Sequence, residues 1–227
     1  MYSRIMAERL RYMIVVLVMV WAISEIGEGA KSRPRPQRPP RKKDPEEEIP
    51  NPPERNIDIN QMLGKWYLLN MASKCSHLMT HGHNAEATTM TLDLTTFGKE
   101  QKLSVKTTTR HNHQCWEIHQ LYDFTKTSGF FTLKGNDPKI DTKVTILDTD
   151  YTSYAIFVYE IQKKKVRKTS LKLYARSVAE LHEPTLLKFE AVAATKNFGL
   201  AFMFPFPTYS HCDTVDEDHI INCIPTC

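Results

Sequence analysis

Three short pieces of the chain constrain its fold more than anything else in it. Gly64-Lys65-Trp66, Thr149-Asp150-Tyr151 and Leu173-Tyr174-Ala175-Arg176 stand in that order along the sequence. Each alone is commonplace, reporting a turn, a bend or a core aromatic. Together they describe one end of a closed β structure. Gly64 lets the chain enter a first strand at close quarters, Trp66 is large enough to plug the bottom of a barrel, and Arg176 is able to lay a planar guanidinium over the indole. The competing reading is an ordinary core tryptophan and a surface arginine.

The front of the chain speaks to compartment. Arg4, Arg9 and Arg11 make a basic start, and the apolar run over 13–23 is too short to span a bilayer as a helix. Small residues at Gly27, Gly29 and Ala30 offer a cleavage site, so residues 1–29 read as a signal peptide cut within 27–30, and the mature protein as secreted and extracellular. Residues 30–56 follow as an arm. Eight of the thirteen prolines lie between Lys31 and Pro53, among Arg33, Arg35, Arg38, Arg41, Lys42 and Lys43, before an acidic run at Asp44 and Glu46 to Glu48. Such a segment has little to bury against its chain entropy and favours extended polyproline conformations. It reads as a solvated arm, with docking to an acidic partner or polyanion as its alternative use.

Residues 57–215 are the length of one domain, with a tail at 216–227. Short strands separated by close turn signals point to an antiparallel barrel or sandwich. Met90, Leu92 and Leu94 alternate with Thr89, Thr91 and Asp93, and Leu103 and Val105 with Ser104 and Lys106. Val144 and Ile146 continue the pattern, and Leu171 and Leu173 are read as inward on the strand leading to Arg176. The stretch 154–159 is apolar on both faces, as expected of a strand that lines the interior while something covers its outside. That cover is the helix expected over 184–196, with Pro184 in its first turn and Leu187, Ala191 and Ala194 sharing a stripe. A short final strand through Phe202 and Phe204 ends at Pro205 and Pro207. The expected fold is all-β: an eight-stranded up-and-down barrel, one helix near the carboxyl end and a short last strand.

His83-Asn84-Ala85-Glu86-Ala87-Thr88-Thr89, Thr149-Asp150-Tyr151-Thr152-Ser153-Tyr154 and Lys172-Leu173-Tyr174-Ala175-Arg176-Ser177 carry a resemblance to the lipocalins, and among them to the complement-associated gamma-type chains. The resemblance covers roughly 57–215. It implies a barrel closed by Gly64, Trp66, Thr149, Asp150, Tyr151 and Arg176, and an intrachain disulfide between Cys115 and Cys212. It further implies that Cys75, in the loop after the first strand, forms an interchain disulfide to a complement component eight alpha-type chain. Association with the beta chain and passage into the membrane attack complex would follow, without direct insertion into lipid. A free extracellular carrier, similar to alpha-1-microglobulin-type or retinoid-type lipocalins, is the alternative.

Five cysteines leave at least one without an intrachain partner. Cys223 and Cys227 have no counterpart in the resemblance. They bond to each other, or one of them caps Cys75, or one reaches a second molecule. Catalysis by Cys75 with His77, His81 and His83 is not expected, because a nucleophile needs a fixed base and oxyanion donors that a mobile loop does not supply. No cofactor, metal site, nucleic-acid partner or N-glycosylation sequon is read; His111-Asn112-His113 is a turn. Inward candidates beside Trp66 are Leu68, Met90, Leu92, Leu103, Val105, Trp116, Ile118, Phe131, Val144 and Ile146. Such a wall suits a small hydrophobic ligand or a filled core. No inward lysine or arginine is identified that would pair with a ligand carboxylate.

Overall fold

The computed structural model describes residues 56–134, 140–163, 166–179 and 183–222. The expected signal peptide, nearly all of the arm, and Cys223 and Cys227 lie outside the described residues. Eight strands run up and down in sequence order: β1 (Gly64–Ser73), β2 (Thr88–Phe97), β3 (Glu100–His111), β4 (Gln114–Phe124), β5 (Phe130–Lys134), β6 (Ile140–Thr149), β7 (Tyr154–Lys163) and β8 (Val166–Ala175). Each pairs antiparallel with the next, and β8 returns to β1, closing a barrel. The alternation of apolar and polar residues selects this form, since one face is then buried and the other wetted. The β3–β4 connection is a two-residue turn with Asn112 and His113 both at positive φ, 52° and 66°, the conformation that matches strand twist in tight hairpins.

The wall is thin at one seam. β4 meets β5 only at Asp123↔Thr132 and Phe124↔Phe131, near the closed end. Above that point the β4 edge is taken by β10 (Ile220–Asn222), which runs parallel to it with Ile221 opposite Ile118. The tail expected at 216–227 thus begins as part of the sheet. A further short strand, β9 (Met203–Pro205), pairs with β1 from Asn70 to Ala72.

Two apolar clusters divide the strands by face. Ala155, Phe157 and Tyr159 of β7 lie in the interior cluster, whereas Ile156 and Val158 belong to an outer cluster beneath a helix. Burial on both faces of this strand follows the expectation. The helix spans Glu183–Thr195 and is α3 here, after α1 (Ile59–Met62) and α2 (Ser76–His81). Its contact stripe differs from the one read in sequence. Phe189 and Ala193 are the buried residues, while Leu187 is 58% exposed and Ala191 and Ala194 are exposed. Residues four apart share a helix face, and the aromatic, as the largest apolar group, sets which face turns inward. The phase of β8 is also corrected. Leu171 and Leu173 pack outward against α3, which leaves Lys172 and Tyr174 facing the lumen.

Candidate ligand-binding site

The closed end is built on Arg176. Its guanidinium carbon lies 3.7 Å from the centroid of the Trp66 ring. Its nitrogens donate to the carbonyls of Leu63 (2.8 Å), Gln61 (2.8 Å), Tyr151 (3.1 Å) and Lys65 (3.2 Å). The planar fork suits this task, because it offers five fixed donors in one plane. Burial lowers the Arg176 pKa from its ordinary value. Trp66 is fully buried and donates its indole N–H to the Met62 carbonyl at 2.8 Å, tying α1 beneath the barrel. Gly64 has φ 94°, a conformation that favours glycine, and a Cβ there would crowd the Arg176 guanidinium at 3.3 Å.

The β6–β7 turn completes this end. Thr149 Oγ1 donates to the Tyr154 carbonyl at 2.7 Å and accepts from the Tyr151 N–H at 2.9 Å. Asp150 Oδ1 accepts from the N–H groups of Thr152, Ser153 and Tyr154. Burial pushes the Asp150 carboxyl upward, but the Ser153 hydroxyl and these three donors outweigh it and hold its pKa below the ordinary value. Tyr151 sits at φ 67°, a conformation the surrounding hydrogen bonds maintain.

Above this floor the lower barrel is a packed core. Leu68, Met90, Leu92, Leu103, Val105, Phe131, Val144 and Ile146 all face inward, yet each is 4% exposed or less, so these candidates for a ligand wall touch one another. Higher up the composition changes. Tyr122 from β4, Tyr159 from β7 and Tyr174 from β8 meet across the lumen. Burial raises all three pKa values, those of Tyr122 and Tyr174 well above 10, with the proximity of Tyr159 adding to the rise in both. Lys172 lies between Tyr174 and the level of Tyr159 along the barrel, its Nζ 4.3 Å from the centroid of the Tyr159 ring. Burial lowers its pKa to about 8.

Lys172 is an inward cation that the sequence pattern did not identify. Its amine is enclosed by the barrel wall, and yet the residue is only half-buried, unlike the core below it. Among the described residues no carboxylate pairs with it.

The mouth holds a cavity of about 580 Å³ between α2, the loop that follows it, β3, β4 and β10. Trp116 and Ile118 line it, together with Leu78, Phe206 and Ile221. Two polar atoms of lining residues, Glu86 Oε2 and Trp116 Nε1, are buried and make no hydrogen bond. The Trp116 ring is stacked against His219, at 4.3 Å between centroids. His77 and His81 stack on each other at 4.7 Å. Both are exposed, and no cluster of three metal-ligating side chains occurs among the described residues.

Cys115 and Cys212 form a disulfide with Cα atoms 5.8 Å apart, joining β4 to the segment before β10. Cys75 is the residue before α2 at the rim of the mouth; it is disulfide-bonded and 8% exposed. The segment after it is helical, where a mobile loop was expected.

The fold and the closed end define a class, and comparison with known proteins gives the same one. Residues 63–207 match the lipocalin / cytosolic fatty-acid binding protein family, and the chain belongs to it. Within that family it is similar to the complement component C8 gamma chain of Oryctolagus cuniculus, 32% identical over 170 residues that cover 75% of this chain and 80% of that one. Protein AMBP of Bos taurus is 26% identical over 73% of this chain, which spans only 46% of that relative's length. The extracellular fatty acid-binding protein of Coturnix japonica is 28% identical, covering 70% of this chain and 85% of that one. A solved structure of a siderocalin, Ex-FABP, described as functioning through dual ligand specificities, aligns with a TM-score of 0.55 over 66% of this chain and 96% of its own. At 21% identity it supports the fold alone. Lipocalins and the C8 gamma chain are binding proteins, and the chain is accordingly a binding protein and not an enzyme. Among the described residues no helix is long and apolar enough to cross a membrane.

Proposed function

We propose that the chain is a secreted complement-type lipocalin subunit that docks through its mouth on a complement component eight alpha-type chain and travels with it into the membrane attack complex. The observation that carries this reading is the similarity to the C8 gamma chain over 80% of that relative's length. The mouth supplies what docking needs: a cavity with apolar walls, and two buried polar atoms, Glu86 Oε2 to accept a hydrogen bond and Trp116 Nε1 to donate one. Cys75 stands at the same rim. Because it is already disulfide-bonded, an interchain link forms by exchange. A partner thiolate attacks the Cys75 sulfur, the new S–S bond forms, and the cysteine previously bonded to Cys75 leaves as a thiolate and takes up a proton. With Cys75 8% exposed, docking precedes exchange.

Co-expression with an alpha-type chain, followed by non-reducing electrophoresis and sedimentation, tests this. A high-mass species that collapses on reduction is expected, absent from Cys75→Ser while co-sedimentation persists. Absence of any association overturns the subunit reading.

The half-buried Lys172 and the mouth cavity favour a second, compatible reading, that of an extracellular carrier for a small ligand. Calyx and rim are separate features, so one barrel is able to serve both uses.

A further inference from the structure

We propose that a cleft on the outer wall of the barrel, at its open rim, binds a sulfated polysaccharide through Lys74, Arg167, Lys168 and Lys196. The proposal rests on the secreted reading of the chain and adds a second class of partner to it. Three observations carry it.

The first is how the cleft arises. β1 leaves the sheet at Ser73, opposite Ser170, whereas β7 and β8 stay paired as far as Lys163 and Val166. Among the described residues no strand then pairs with residues 166–169 on the side that β1 vacates. The gap is a cavity of about 340 Å³, lined by residues from the end of β1, the start of β8 and the segment that follows α3. Phe198, one of them, belongs to the outer cluster beneath α3, so the cleft lies against the outside of the barrel. It shares no lining residue with the mouth cavity.

The second is charge. Of the four cations that line the cleft, Arg167 meets a carboxylate, that of Glu160, at 3.2 Å. Lys74 has aromatic faces instead, its Nζ 5.6 Å from the centroid of Phe198 and 5.2 Å from that of Phe202. Lys168 is exposed and has no carboxylate partner among the described residues. Burial lowers the Lys196 pKa, although the Glu160 charge opposes the change. An anion arriving beside a partly desolvated cation gains more than it would at an open surface. Thr169 and Ser170 add hydroxyl groups to the same lining, donors suited to sulfate oxygens.

The third is extent. The chain passes from β7 into β8 through Lys163-Lys164-Lys165-Val166-Arg167-Lys168, in which five of six residues are cations. Lys163, Arg167 and Lys168 are exposed, and Lys164 and Lys165 lie outside the described residues. A single bound anion would leave most of this charge unanswered, whereas a chain with an anion on each sugar answers it along its length. Such a chain is also narrow enough to lie in a cleft. A bilayer presents a flat face to the same concave surface.

The probes are a heparin-derived octasaccharide, the same octasaccharide after complete desulfation, and vesicles of phosphatidylserine and phosphatidylcholine in equal parts. Each is titrated into the full chain at neutral pH and at several salt concentrations. The sulfated octasaccharide is expected to bind, with an affinity that falls steeply as salt rises, and the desulfated one is not. Lys168→Gln with Lys196→Gln should weaken binding about tenfold and flatten its salt dependence, and Lys168→Arg with Lys196→Arg should preserve both. Lys99→Gln with Lys126→Gln removes the same charge from exposed turns at the closed end and should leave affinity within about twofold. Failure of wild type to bind the sulfated octasaccharide, equal binding of the desulfated one, or equal losses in the two glutamine variants overturns the site. Binding to the vesicles alone overturns it in favour of a membrane surface. Secretion is read separately, from recovery of the chain in culture medium, so failure of the site and failure of that reading are distinguishable.

Discussion

Arg176 and Lys172 are two cations removed from bulk water on the same strand or at its end, and they are accommodated in opposite ways. Arg176 is given four carbonyls and an indole face, so its charge is answered within the chain. Arg176→Ala is expected to lower stability in urea by about 1–3 kcal/mol, mainly through carbonyls left without donors. Ligand affinity should hardly change. Among the described residues Lys172 has only the Tyr159 face. Its folded pKa of about 8 lies below the value near 10.4 of an unfolded lysine, so between those limits the unfolded state binds more protons and stability rises with pH. Below pH 8 the buried charge costs up to roughly 3 kcal/mol, and the cost is gone above about pH 10.5. Lys172→Met should therefore stabilise the ligand-free protein at pH 7 by about 1–3 kcal/mol, an advantage that fades as pH rises to 10.5. Denaturation curves at pH 7 and pH 10 that differ from wild type by the same amount would sink the assignment. Trp66 and Arg176 were legible in the sequence because each is coded by its own motif. Lys172 was not, because its role depends on which face of β8 turns inward.

That face is decided by an element far along the chain. A strand with one wet face reveals its phase by period-two alternation, as β2 and β3 do. β8 has apolar residues on both faces, since α3 covers its outside, and Leu171-Lys172-Leu173 then reads equally well in either register. The leucines belong to the helix interface and the lysine to the lumen. The helix itself was legible to within a residue or two at its ends, but its buried stripe was not, because two alanines and a leucine at suitable spacing compete with Phe189 for the inward side. Phe189→Ala should cost about 3–5 kcal/mol, as a fully buried aromatic leaves a cavity between helix and sheet. Leu187→Ala should stay within about 0.5 kcal/mol, as exposed positions usually do. The Cys115–Cys212 bond closes 97 residues and in the chain-entropy model is worth about 4–5 kcal/mol. A double Cys115→Ala, Cys212→Ala variant that melts like wild type would contradict this.

Taken along its axis, the molecule grades from a locked end to a loose one. Gln61, Leu63, Lys65 and Tyr151 are gathered on one guanidinium, whereas α2 at the rim contains no buried residue. Hydrogen exchange should follow this gradient, with amides of β1 near Trp66 protected by most of the global stability and those of α2 exchanging through local opening. Equal protection at the two ends would refute it. The long reach of the Cys115–Cys212 bond also bears on how the protein is made. At about 5–20 residues per second, Cys212 leaves the ribosome about 5–20 s after Cys115. Throughout that interval Cys75 and Cys115 are the only thiols of the chain that have emerged. If the chain folds in an oxidising compartment, as the proposed secretion requires, the first bond available within the nascent chain is thus Cys75–Cys115, and the native pairing would then be reached by reshuffling. A lower yield of the barrel is accordingly expected where disulfide isomerase is depleted, with the stability of the folded form unchanged.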